Sequence, residues 1–162
     1  MERLTGLDAG FLYMESPAHP MHTLKLVVLE PSTPASGDLH ATLHAGLAAR
    51  LHLLPPFRRR LLEVPLGLHH PLWIEDPDFD LSAHLRRATV PAPGTRAEVD
   101  AVVAEIAGTL LDRRRPLWEI WTLEGLESGR VAVLVKIHHA VADGLAMARL
   151  LANVMTAEPS DR

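Results

Sequence analysis

Residues His138-His139-Ala140-Val141-Ala142-Asp143-Gly144 place two histidines, a carboxylate and a glycine in one short stretch. An imidazole with an ordinary pKa of about 6.5 can take a proton from a hydroxyl near neutral pH and give it back. The stretch follows an apolar run, Val131 to Ile137, and precedes a helix-like segment, Leu145 to Met155. That setting is strand, loop, helix. Side chains alternate along a strand. Val133, Val135, Ile137 and His139 therefore share one face while the strand stays extended, and His138 falls on the other with Leu134 and Lys136. Adjacent histidines so placed cannot do the same job. Opposed faces argue against one shared metal ion. A serine hydrolase would need a G-x-S-x-G elbow, which the sequence lacks. A structural histidine pair in an ordinary core is the plain alternative. Gly144 opens the following helix, where a missing Cβ permits close approach of backbone or ligand. N–H groups at a helix start can also face developing negative charge.

The elements that must hold this stretch can be read from periodicity. Leu24 to Leu29 reads as a strand, broken by Pro31, Pro34 and Gly37. Leu39, Leu43, Leu47 and Leu51, with Leu54 beyond, have helix spacing, with Ser36 or Asp38 as cap and Pro55-Pro56 as stop. Arg60 to Val64 and Leu72 to Glu75 read as short strands, and His84 to Val90 as another. Thr95 and Glu98 have capping-box spacing, and Val99, Val102, Val103, Ile106 and Leu110 make one stripe, which predicts a helix over Arg96 to Leu111. Trp118 to Leu123 and Val131 to Ile137 predict a hairpin around Gly125 to Gly129. Met147, Leu150, Leu151 and Val154 give the last helix a buried face, and Thr156 to Arg162 is polar and expected to fray. Strands and helices mix without regular alternation, which favours an α+β fold.

At 162 residues the chain fits one domain. It has no cysteine, which removes thiol catalysis, disulfides and cysteine metal sites, and fits a reducing cytoplasm. A formal net charge of -4 does not suggest nucleic acid as a partner. Arg58-Arg59-Arg60 and Arg113-Arg114-Arg115 read as solvated or structural. No apolar stretch approaches the roughly 20 residues of a membrane span. The N-terminus, with Glu2, lacks a signal peptide's apolar core. A soluble or membrane-peripheral protein is expected. Trp118 and Trp121 lie three apart, so at least one belongs to the core. His69-His70, His19 and His22 read as exposed or hydrogen-bonded histidines rather than ligands.

The pattern H-H-x-x-x-D-G resembles the active-site motif of CoA-dependent acyltransferases. Four further segments carry the likeness to one family. They are Met1-Glu2-Arg3-Leu4-Thr5-Gly6-Leu7-Asp8 with Phe11-Leu12, then Pro91-Ala92-Pro93-Gly94, then Leu111 to Trp118 with its P-L-W, then Leu123-Glu124-Gly125-Leu126. In that order they resemble the bacterial wax ester synthase/diacylglycerol acyltransferase family. Condensation domains of peptide synthetases share the histidine motif, but the opening and the P-L-W segment argue against them. The resemblance implies an α+β, chloramphenicol-acetyltransferase-like fold, a mixed sheet with flanking helices. It implies His139 as general base, His138 as a supporting residue, Asp143 as a structural residue paired with an arginine, and Gly144 at a point of close approach. No metal and no cofactor are implied, acyl-CoA being a co-substrate. The acceptor would be diacylglycerol, a long-chain alcohol, or both, giving triacylglycerol or wax ester and free CoA. The expected place is the cytoplasm, with association to the inner membrane face or lipid bodies. Family members are longer and carry a second, similar domain. Residues 1–157 are then expected to form the N-terminal acyltransferase domain and 158–162 a frayed tail, with the partner domain absent or replaced by self-association. The alternative is a catalytically silent remnant, or a non-catalytic half that needs a separate partner.

Overall fold

The computed structural model of the chain describes residues 2–30 and 38–141. Pro31, Pro34, Ser36, Gly37, Asp143, Gly144, the helix expected over 145–155 and the tail lie outside the described residues. The main sheet has four strands: β2 (His22–Leu29), β5 (Leu85–Thr89), β6 (Trp118–Glu124) and β7 (Val131–His138). Their order is β2-β7-β6-β5. β7 runs antiparallel to both neighbours, and β5 lies parallel to β6. A smaller antiparallel sheet has the order β1-β4-β3, from β1 (Glu2–Arg3), β3 (Arg59–Leu62) and β4 (Leu72–Glu75). Three α-helices, α1 (Gly6–Met14), α2 (Leu39–Arg50) and α3 (Arg96–Gly108), flank the sheets. The fold is α+β with a mixed main sheet, as expected.

β7 is a near-continuous apolar run because it lies in the middle of the sheet, covered on both faces. Val133 and Val135 meet Leu47 of α2 with Leu51, Phe57 and Trp118. Ala132 and Leu134 meet Val99 and Ile106 of α3. A third cluster, Leu4, Ala9, Leu12, Leu61, Leu111, Leu117 and Ala140, binds α1 to the end of β7. Burying side chains of this size contributes about 1.5–3 kcal/mol each.

The expected hairpin is present, with Trp118 opposite Ile137. Asp38 caps α2, accepting from the His40 N–H at 3.0 Å. The capping box of α3 is formed: the Thr95 N–H donates to Glu98 at 2.8 Å, and Thr95 Oγ1 accepts from the Ala97 N–H at 3.3 Å. That helix ends at Gly108, short of Leu111. Lys136 of β7, 1% exposed, donates its ammonium to the carbonyls of Ile106 and Thr109, which terminates the helix. The chain then carries Leu111 into the cluster beneath α1. Strand bounds differ by a residue or two from expectation, β3 closing at Leu62 and not Val64. α1 and β1 were not expected. α1 is capped by Thr5, which accepts from the Asp8 N–H at 3.1 Å. It contains Gly6 and Gly10 and exposes Leu7, Tyr13 and Met14, so no clean apolar stripe announces it.

Two glycines explain why separated segments belong together. Gly94 (φ 76°) and Gly125 (φ 88°) both adopt left-handed conformations. A Cβ on Gly94 would overlap the Gly125 carbonyl oxygen, and one on Gly125 would stand 2.7 Å from the Val90 carbonyl. The Pro91–Gly94 loop and the Gly125 turn are packed backbone to backbone, a contact only glycine permits.

Candidate active site

The end of β7 is fixed by backbone hydrogen bonds from two sides. The His138 N–H donates to Leu117 O at 3.0 Å, and the His139 N–H donates to Met21 O at 2.9 Å. Leu117 belongs to the P-L-W segment, so that segment is the direct neighbour of the histidine pair. Its tryptophan is structural. Trp118 is fully buried, donates its indole N–H to Phe57 O at 2.8 Å, and stacks on His84 at 4.5 Å. His84 donates from Nδ1 to Trp118 O at 2.8 Å. Trp121 lies on the other face and carries Arg86 over its ring at 5.0 Å.

The two histidines meet different surroundings. His138 is 1% exposed. Its Nδ1 accepts the Ala140 N–H at 3.0 Å, and its Nε2 lies 3.2 Å from Glu15 Oε1, off the line of a hydrogen bond. A ring that accepts at Nδ1 carries its proton on Nε2 when neutral. Nδ1 is therefore taken, and with the proton on Nε2 the neutral ring keeps no free lone pair for an ion or a substrate. Burial pushes the His138 pKa down to about 4, with Arg113, His22 and His139 acting in the same direction and Glu15 against it. His138 is neutral near pH 7.

His139 follows in the turn after β7 and is partly exposed. Its ring stacks on Phe11 of α1, with centroids 5.0 Å apart and planes 22° apart. Strand alternation in the sequence predicts opposed faces; the structure ends β7 at His138 and places His139 in the turn beyond, so the two rings differ in burial. It does not test the role of either ring. Asp143 and Gly144 lie outside the described residues, so their relation to the pair rests on the motif.

Glu15 gives no sequence signal, while the sequence predicts His22 only as a hydrogen-bonded or exposed histidine and Arg113 only as a solvated or structural arginine. Glu15, just past α1, accepts from Arg113 Nε at 3.3 Å and Nη2 at 3.0 Å. His22 pairs with His138 across the β2–β7 ladder and donates from Nε2 to Ala107 O at 2.8 Å. Burial, first, and then the charge of Lys136 push the His22 pKa down. Glu15 and Arg113 are 98 residues apart in the chain, beyond any local pattern. The other arginines of the two basic runs are mostly paired: Arg58 and Arg59 with Glu75, Arg60 with Asp76, Arg114 with Asp112. Among the described residues, no helix is long and apolar enough to cross a membrane.

Known proteins resemble this chain along its whole length. The profile of the wax ester synthase/diacylglycerol acyltransferase catalytic domain matches residues 4–162. A Mycobacterium tuberculosis protein provisionally named a diacylglycerol O-acyltransferase is 48% identical over 161 residues, covering 99% of this chain and 34% of that protein. A second from the same organism, named a probable diacylglycerol O-acyltransferase, is 38% identical over 143 residues, covering 88% of this chain and 52% of that one. Among solved structures, the wax ester synthase/diacylglycerol acyltransferase of Marinobacter aquaeolei superposes with a TM-score of 0.83 at 32% identity, over 99% of this chain and 38% of that one. The first condensation domain of the calcium-dependent antibiotic synthetase superposes with a TM-score of 0.71 at 21% identity, over 94% of this chain and 36% of that one, a likeness of fold. The chain spans about a third of the length of the most similar of these relatives. Sequence profile and fold agree, and the chain belongs to the wax ester synthase/diacylglycerol acyltransferase family.

Proposed function

We propose that this chain is the histidine-bearing part of an O-acyltransferase that moves a long-chain acyl group from acyl-CoA to diacylglycerol, a long-chain alcohol, or both. His139 acts as the general base. Its ring takes the hydroxyl proton as the alcohol oxygen attacks the thioester carbonyl. The tetrahedral intermediate collapses, the carbon–sulfur bond breaks, and the CoA thiolate receives the proton from His139. The thioester is already activated, so no serine or cysteine nucleophile is needed. Such base catalysis is worth about 10²–10⁴ in rate. The observation that carries this reading is the division between the two rings: His138 is buried with its Nδ1 taken by the Ala140 N–H, while His139 is partly exposed at the strand end. Asp143 shapes the loop and Gly144 admits close approach, as the motif implies. Acyl-CoA is the co-substrate, without a metal or other cofactor. The working place is the cytoplasm, against the inner membrane face or a lipid body. The test is labelled acyl-CoA with diacylglycerol or a long-chain alcohol, followed by separation of the lipid products. Loss of labelled ester in His139→Ala supports the reading, and near-normal turnover removes His139 from the mechanism.

A second reading is favoured by one observation. Leu26, Val27, Val28 and Leu29 are all exposed on β2. The chain is then one part of the catalytic unit and is silent until a partner domain covers that strand.

A further inference from the structure

We infer that Glu15 is a positioning residue: with Arg113 it holds the His138 imidazole as its Nε2–H tautomer, and through that ring and through α1 it sets the placement of His139. The inference rests on His139 being the base.

A buried carboxylate is costly unless its oxygens are paired. The Glu15 side chain is 3% exposed. Its Oε2 takes two N–H groups of Arg113, which also donates to Leu12 O of α1. Its Oε1 is left to face His138 Nε2 at 3.2 Å and the Met21 N–H at 3.5 Å. Because the Ala140 N–H occupies Nδ1, the proton of the neutral ring sits on Nε2, the nitrogen 3.2 Å from that oxygen, close to it but out of line for a hydrogen bond.

The contacts close a ring around the base. The Glu15 N–H donates to Phe11 O at 3.1 Å, Phe11 stacks on His139, and the His139 N–H donates to Met21 O, whose own N–H faces Glu15. Glu15 thus reaches His139 by two routes, through His138 and its peptide, and through α1 and Phe11. A misplacement of about 1 Å at a reacting group can cost 10²-fold in rate. Among the described residues, the charged and titratable groups that face His138 are Glu15, Arg113, His22 and His139; Glu15 favours its protonation and the others oppose it.

The experiment is histidine-selective NMR on the purified chain, comparing wild type, Glu15→Gln and Arg113→Gln. Ring nitrogen shifts report tautomer and titration, and a Phe11–His139 ring cross-peak reports placement. Wild type is expected to hold His138 in the Nε2–H form. Glu15→Gln is expected to lower the His138 titration, admit the Nδ1–H form and weaken the cross-peak. Arg113→Gln is expected to raise that titration, since the Glu15 charge then acts uncompensated. A merely structural Glu15 would lower the melting temperature without shifts of opposite sign. An Nδ1–H tautomer in wild type overturns the inference. So does an unchanged His138 titration in the folded variants. Should Glu15→Gln fail to fold, the wild-type tautomer and the Arg113→Gln titration decide. None of these readouts needs acyl transfer, so they fail separately from the turnover assay of His139.

Discussion

An imidazole can act as a base only where its lone pair meets the reacting hydroxyl, and the adjacent histidines differ in that respect. His139→Ala is expected to cost about 10²–10⁴-fold in turnover in any assembly that shows activity. Its melting temperature should change little, because the lost ring is partly exposed. His138→Ala should show the opposite weighting. It leaves the buried Ala140 N–H without its acceptor and opens a cavity beside the buried Glu15 carboxylate, so the larger loss falls on stability. Stability should also depend on pH in a defined window. In the unfolded chain a histidine takes a proton at about pH 6.5. Burial holds His138 down to about 4, and pushes His22 and His84 down as well. Between those pH values the unfolded state binds more protons, so stability falls as pH drops from about 6.5 toward about 4, and His138 adds no further slope below that. Denaturant unfolding of wild type and His138→Gln across this range is the check. The variant's curve should be shallower, and identical slopes would remove His138 as a source.

At the scale of elements, the amino-acid pattern carried the helices and strands whose periodicity is regular. α2 and α3 announce themselves by leucine and valine spacing and by their caps, and the β6–β7 hairpin by two apolar runs around glycines. α1 did not, because it buries only Ala9 and Leu12 of its nine residues and contains two glycines. Missing α1 meant missing Phe11 and Glu15, which reach the histidines only through that helix. The end of α3 was placed too late because the residue that stops it, Lys136, sits on β7, far along the chain. Strand alternation predicts that His138 and His139 take opposed faces; in the structure β7 ends at His138 and His139 lies in the turn beyond it, His138 buried and His139 partly exposed. One contact between elements invites a test. Gly94→Ala puts a Cβ against the Gly125 carbonyl and the Glu127 N–H, 2.8 Å from the latter, at a left-handed φ. Neither neighbour is a flexible side chain, so the loop must separate from the turn. The expected loss is about 1–3 kcal/mol, the cost of a non-glycine residue held in strained backbone. Gly108→Ala, with nothing within 4 Å of its Cβ, is the matched control. Equal melting temperatures for the two variants would show that the interlock does not bear on stability.

Among the described residues, the outer strand of the main sheet carries a run of exposed apolar side chains. Leu26, Val27, Val28 and Leu29 are 36–52% exposed, and as successive residues they present both faces of β2. Among the described residues β2 pairs only with β7, so its outer edge also offers unpaired N–H and C=O groups. An exposed apolar edge of this kind is a site for pairing with another chain. Exposed apolar patches of more than a few hundred Å² mark interaction surfaces or aggregation hazards. The relatives of this chain are about two to three times as long as the part it matches, and the remainder of such a protein is the natural cover. Uncovered, His139 would work in a wet groove. Water there weakens the electrostatic help available to the transition state and competes with the alcohol for the thioester. The purified 162-residue chain is therefore expected to make little or no triacylglycerol and to self-associate. Adding the second domain of a longer relative, fused or in trans, should restore both ester formation and a defined assembly. Replacing Val27 and Leu29 with threonine or lysine tests the surface directly: it should lessen self-association of the lone chain and weaken its pairing with the added domain. The decisive measurement is labelled acyl-CoA with diacylglycerol, run beside light scattering of the same sample. Robust triacylglycerol formation by a monodisperse monomer would show that this chain alone is a complete catalyst.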